Sequence, residues 1–161
     1  MKKIKQLLLA LIASFGALTT CAELSVNGTI VHNGAKGDGW EYSDYRVWLK
    51  DSGKTYIVTG EDYARRIGIH VKAKNCKMIA DNLVLCPTNG NHYAGIKLDD
   101  DVKNLSFELE LRGVNRFTGG NAHAAICVPE NAAIKIGAPN DPAAELHCQG
   151  GELGRWHRWR F

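Results

Sequence analysis

Few residues in this chain could do chemistry, and the densest group of them is acidic: Asp99-Asp100-Asp101, with Asp81 some way before it. Clustered carboxylates serve two ends, holding a hard cation through oxygen ligands or moving protons at a glycosidic bond. On an extended strand Asp99 and Asp101 project to one side and Asp100 to the other, so only Asp99 and Asp101 can share a cation, as a weak calcium candidate. The tract follows Leu98 and precedes Val102-Lys103-Asn104, which gives it the look of a solvated turn. A zinc site drawn from His70, Cys127, His147 and Cys148 has no CxxC or HxxxH spacing behind it. No nucleophile, base and orienting group stand in a recognisable order, so no residue is assigned a catalytic role and the chain reads as a non-enzyme. The segment GGNAHAA leads into a strand rather than a helix and makes no phosphate loop.

What remains is the chemistry of aromatic faces, against which sugar rings pack while polar groups read their hydroxyls. Trp40, Tyr42, Tyr45, Trp48, Tyr63 and Tyr93 are the candidate glycan platforms, with Asn91, His92 and Asn115 as polar neighbours. Alternation along a strand sends Trp40 and Tyr42 the same way, and sets Tyr45 opposite Trp48. Each of these rings can equally serve to close the end of a hydrophobic core.

The elements that would position them come from a repeat. RIGIHVKAKNCKMIADNLVL, YAGIKLDDDVKNLSFELELRGVN and HAAICVPENAAIKIGAPNDPAAELHC each open on a small residue followed by Ile-x-(Val or Leu): Ile69/Val71, Ile96/Leu98 and Ile126/Val128. The isoleucines are 27 and 30 residues apart, too short a step for a propeller blade and right for one coil of a β-solenoid. Leu105, Phe107, Leu109 and Leu111 alternate with polar residues, the period of a strand with one buried face. Pro87-Thr88-Asn89-Gly90, Gly119-Gly120-Asn121 and Pro139-Asn140-Asp141-Pro142 separate the strands. His70, Lys97 and Cys127 fall between the paired apolar residues of successive repeats and are expected to stack in one outward column. One coil cannot bury its own inner face, so coils must pile up about 4.8 Å apart and both ends need caps. Residues 23–64 read as an aromatic N-terminal cap and first coil, and 65–154 as the solenoid repeats.

Composition sets the surroundings. Residues 1–22 carry Lys2, Lys3 and Lys5, the apolar run LLLALIASFGAL and a small-residue site at Thr20-Cys21-Ala22, the outline of a cleaved export signal. Twelve apolar residues are too few to span a hydrocarbon core of about 30 Å as a helix. Thr20 stands where Gly, Ala or Ser would precede a lipidated Cys21, which argues against a lipid anchor. The expected location is therefore outside the cell or on its surface. Without those three lysines, 17 basic residues balance 17 acidic ones, and no basic stripe invites nucleic acid. Cys76, Cys86, Cys127 and Cys148 remain, with three disulfide pairings open to them, and free buried thiols as the other reading.

The stretches GDGWEYSDYRVWLKDSGKTYIVTG, LELRGVNRFTGGNAHAAICVPENAAIKIG and AELHCQGGELG resemble a family of secreted bacterial surface proteins with right-handed parallel β-helix, carbohydrate-binding-like domains. The resemblance covers roughly residues 37–154 and rests on structural rather than catalytic motifs. It implies an all-β right-handed parallel β-helix of about three to four coils with an N-terminal aromatic cap. It also implies a polysaccharide or cell-surface glycan as partner, with no cofactor beyond the calcium candidate. In that family AELHCQGGELG runs on into a Gly-Ala-Gly-Ile-Gly-Gly turn, whereas here Arg155-Trp156-His157-Arg158-Trp159-Arg160-Phe161 follows. Read one base later, each Trp codon TGG begins GG and becomes Gly, and the other codons can supply the missing Ala and Ile. The tail at 155–161 is thus expected to be a frameshift that truncates a longer solenoid, which the gene's codons decide. An uncapped last coil would then invite self-association. Three functions follow in order: glycan binding or adhesion, a structural spacer from a longer surface protein, and a calcium-dependent polysaccharide-degrading enzyme.

Overall fold

A computed structural model describes residues 23–62, 67–86, 94–120 and 123–151, together with the backbone of 156–160. The expected leader at 1–22 lies outside the described residues. Among the described residues the chain is all-β, with no helix. The strands are β1 (Ser25–Val26), β2 (Thr29–Ile30), β3 (Lys36–Gly37), β4 (Trp40–Ser43), β5 (Arg46–Leu49), β6 (Thr55–Asp62), β7 (Gly68–Val71) and β8 (Cys76–Leu85). They continue as β9 (Ile96–Leu98), β10 (Leu105–Arg112), β11 (Val114–Thr118), β12 (Ile126–Cys127), β13 (Ala132–Gly137), β14 (Glu145–Gln149) and β15 (Trp156–Arg160).

These strands form two mixed sheets. One has the order β15-β14-β11-β8-β6-β1-β2, with β10 lying between β8 and β13; the other has the order β12-β9-β7-β5-β4-β3. The first strands pair antiparallel, beginning with β1 and β2 around Asn27-Gly28, both in the left-handed region with φ 49° and 77°. From β5 onward the chain alternates between the sheets. β5, β7, β9 and β12 lie parallel in one, and β6, β8, then β10 with β11, then β13 with β14 lie parallel in the other. Parallel neighbours need a crossover, and here the crossover is a strand of the opposite sheet. One pass of the chain through both sheets makes a circuit, and the strands of successive circuits pair in parallel.

Register makes the core. Val47, Ile69 and Ile96 pair in one row, and Leu49, Val71 and Leu98 in the next; all six are buried. Across from them Tyr56, Met78 and Leu109 align, as do Val58, Ala80 and Leu111, again all buried. The glycine leads of the first two repeats have their reason in this packing: a Cβ on Gly68 would stand 2.7 Å from the Ala94 carbonyl oxygen, and one on Gly95 2.9 Å from that of Thr118. Leu105, Phe107, Leu109 and Leu111 point inward as their alternation predicts. At the far end the last circuit is less covered. Among the described strands β12 pairs only with β9, and β13 only with β10, leaving Ile134 and Ile136 half-buried.

Polar groups fix the corners. Asn82, at φ 48°, is the extra residue where the register of β6 against β8 shifts, and its Oδ1 accepts the Val114 amide at 3.1 Å. Gly113, at φ 63°, leaves no room for a side chain, since a Cβ there would stand 2.2 Å from that same oxygen. Asn115, fully buried, accepts the Leu83 amide at 3.0 Å and donates to the Arg112 carbonyl at 3.1 Å. On the outer side Glu110 gathers three successive circuits. It accepts from Asn140 at 3.0 Å and Arg112 at 3.1 Å and pairs with Lys77 Nζ at 2.6 Å, and only 1% of its side chain is exposed. The amide of Asn140 foremost, then Lys77, hold its carboxyl down at about 2.

Asn115→Ala leaves the Leu83 amide and the Arg112 carbonyl without this buried partner, and urea unfolding is expected to show a loss of about 2 kcal/mol. Because Glu110 titrates lower in the fold than in the unfolded chain, its contribution is complete above pH 4.5 and fades as pH falls toward 2. Acid unfolding of Glu110→Gln is expected to lack that limb.

Candidate functional site

The outward side of the smaller sheet carries a row of unlike side chains. Cross-strand pairing places Glu41 beside Trp48, Trp48 beside His70, His70 beside Lys97 and Lys97 beside Cys127. His70, Lys97 and Cys127 thus form the expected column, and the structure adds Trp48 at its head. The frame Val47-Trp48-Leu49 has the same apolar-x-apolar form as Ile69-His70-Val71, and that was the signal for a fourth member. The Trp48 and His70 rings stack at 4.4 Å between centroids with 17° between planes. Lys72 Nζ lies 4.6 Å and Arg46 Cζ 5.3 Å from the Trp48 centroid. Stacking and two cations occupy this indole, so it offers no open platform.

Beside the row lies a cleft of about 170 Å³ lined by Arg46, Gly68, Ile69, His70, Ala94, Lys97 and His123. Gly68 and Ala94, from neighbouring repeats, contribute small apolar lining between the charged side chains. No carboxylate is among the lining residues. The nearest acids are already engaged: Asp100 pairs with Lys97 at 2.7 Å, and Asp99 Oδ2 lies 3.5 Å from His70 and 3.6 Å from Lys72. Burial pulls the His70 imidazole from 6.5 down to about 4, with Asp99 opposing, so the ring is neutral near pH 7. His70 Nε2 and Trp48 Nε1 are both buried without a hydrogen-bond partner. Arg46, Lys72 and His123 were not legible as site residues, although period two places Arg46 on the same side as Trp48.

The six aromatic candidates separate sharply. Trp40 and Tyr42 share a face as alternation requires, but it is the inner one: they are 3% and 6% exposed and present no ring to solvent. Tyr45 is 56% exposed. It sits with Asp44 in the two-residue turn between β4 and β5, at φ 60°, a conformation that Gly adopts freely and an aromatic residue does not. Its carbonyl accepts the Gly68 amide at 3.1 Å, which puts its backbone next to Gly68 and Arg46, two residues that line the cleft. Tyr63 and Tyr93 lie outside the described residues, as do Asn91 and His92. Asn115 is committed to the buried corner.

Asp99 and Asp101 make a turn in which Asp99 Oδ1 accepts the Asp101 amide at 2.9 Å. Among the described residues no group of three or more His, Cys, Asp or Glu could hold a metal ion. His147 bonds Glu145 at 2.9 Å. Cys76, Cys86, Cys127 and Cys148 are all free, and burial pushes the thiols of Cys76 and Cys148 up to about 11. Neither family models, curated proteins nor solved structures give a match to this chain.

The unfolded chain protonates His70 before the folded one does, so His70 adds a pH-dependent term. Stability is expected to be complete above pH 6.5, to decline as pH falls toward 4 and to gain no further slope from this residue below that. An NMR titration should hold the His70 ring neutral until about pH 4, and His70→Phe should remove the slope between those limits.

Proposed function

We propose that this chain is an exported, right-handed parallel β-helix whose smaller sheet serves as a non-catalytic glycan-binding or adhesive face. Support for the coil comes from the alternation of strands between two sheets. Its hand follows from the near-universal right-handedness of parallel crossovers. Support for the partner comes from the resemblance to secreted carbohydrate-binding-like domains and from one observation above all: Tyr45, exposed and bonded through its carbonyl to the cleft residue Gly68, holds a backbone conformation that costs an aromatic residue roughly 1–2 kcal/mol. Local structure that defies propensity marks places kept for function. An Asp-Gly turn would hold β4 to β5 with less strain, and the ring is what that turn would lack. Self-association would use β12 and β13, each of which pairs with a single strand among the described residues.

Tyr45→Gly separates the two effects. Relief of the left-handed strain is expected to exceed the added chain entropy and to raise the unfolding free energy by about 0.5–1 kcal/mol. At the same time affinity electrophoresis through a panel of neutral and acidic polysaccharides should show retardation of the parent chain by at least one, and loss of it in the variant. A parent chain that passes every gel unretarded, or a variant retarded equally, defeats the glycan reading.

A further inference from the structure

Deepening that reading, and resting on it, the structure assigns the cleft flanked by Arg46 and Lys97 as a subsite for the acidic group, a carboxylate or a sulfate ester, of a charged saccharide whose ring lies over Tyr45. Four lining residues carry nitrogen groups, Arg46, His70, Lys97 and His123, and none carries a carboxylate. Gly68, Ile69 and Ala94 supply the rest of the lining. At about 170 Å³ the cleft falls well below the roughly 300–1,000 Å³ of pockets that enclose whole drug-sized ligands. It therefore suits one substituent or one ring, with the remainder of a chain lying across the sheet.

The chemistry of the flanking cations fits an oxyanion. A guanidinium offers paired N–H donors that match the two oxygens of a carboxylate or sulfate, and an ammonium adds a point charge. Lys97 is held now by Asp100, whose side chain is 58% exposed. Exposed ion pairs of this kind are weak and exchange readily for a ligand. Asp99 is different: it lies deep, with an 8% exposed side chain between His70 and Lys72, and it keeps Lys72 turned toward the row. A neutral sugar placed in the cleft would take water from Arg46 and Lys97 and offer neither an anionic oxygen, which builds discrimination against uncharged glycans into the site.

Three polymers of one backbone test this: dextran, carboxymethyl-dextran and dextran sulfate of matched length, titrated calorimetrically at fixed salt against the full chain. At least one charged polymer is expected to bind at least about tenfold more tightly than dextran, the ratio between the two identifying the acid group. Lys97→Gln and Arg46→Gln should each weaken binding of the charged polymer about tenfold. Lys135→Gln, an exposed cation on the larger sheet, should leave it unchanged. Thermal unfolding checks each variant, and should Arg46→Gln fail to fold, Lys97→Gln decides alone. Equal binding of charged and neutral dextran overturns the acidic subsite while leaving glycan binding in place. Equal weakening by Lys135→Gln shows diffuse attraction and overturns it too, and so does the failure of both charged polymers to bind. The polysaccharide panel with Tyr45→Gly judges the glycan reading separately.

Discussion

Parallel backbone pairing between successive circuits is the constraint on which the rest of this structure depends. In a parallel ladder each residue faces its equivalent in the next strand, at about 4.8 Å. A position that is apolar in one circuit must be apolar in the next, or a buried row is broken. Val47, Ile69 and Ile96 obey this on one side, as do Tyr56, Met78 and Leu109 on the other. The same rule acts on the outer faces, where it stacks whatever side chains the sequence supplies. The Trp48 and His70 rings meet because their strands are in register, and Arg46, His70 and Lys97 line one cleft because theirs are in register too.

Stacked circuits also concentrate the polar problem at the corners, where the ladder is interrupted and amides lose their partners. Asn82 and Asn115 supply side-chain amides in place of backbone ones, and Gly113 supplies the conformation and the space. Glu110 does comparable work on an outer face, bringing Lys77, Arg112 and Asn140 together from three circuits. Its neighbours cover it so fully that an outward residue ends up as buried as the leucines around it. Burial of a carboxylate is tolerable only with such a set of partners.

The sequence made the strands readable because their two signals are local. The Ile-x-Val pairs and the leucine alternation of β10 report one buried face, and Gly-, Asn- and Pro-rich segments report the turns. It also made the column of His70, Lys97 and Cys127 readable, since equivalence in a repeat becomes adjacency in a ladder. The side on which a strand lies was not readable. Alternation shows that Trp40 and Tyr42 share a face but not that the face is inward, and only the antiparallel pairing of β4 with β5 settles it. The cleft was hidden for another reason: Arg46, Lys97 and His123 come from three circuits, and no local pattern ties them together. Tyr45 was visible as an aromatic residue, while its strain was not, because Asp44-Tyr45 carries no glycine to mark a left-handed turn.

The outward row can also be seen as an alphabet with one letter per circuit. Trp48, His70, Lys97 and Cys127 occupy equivalent places, and the core beneath them is indifferent to which letter is written. Duplication or loss of a whole circuit would lengthen or shorten the row without disturbing the registers on either side. Such a surface can change its chemistry by single substitutions at regular intervals and its length by whole repeats, two kinds of variation that most folds cannot separate.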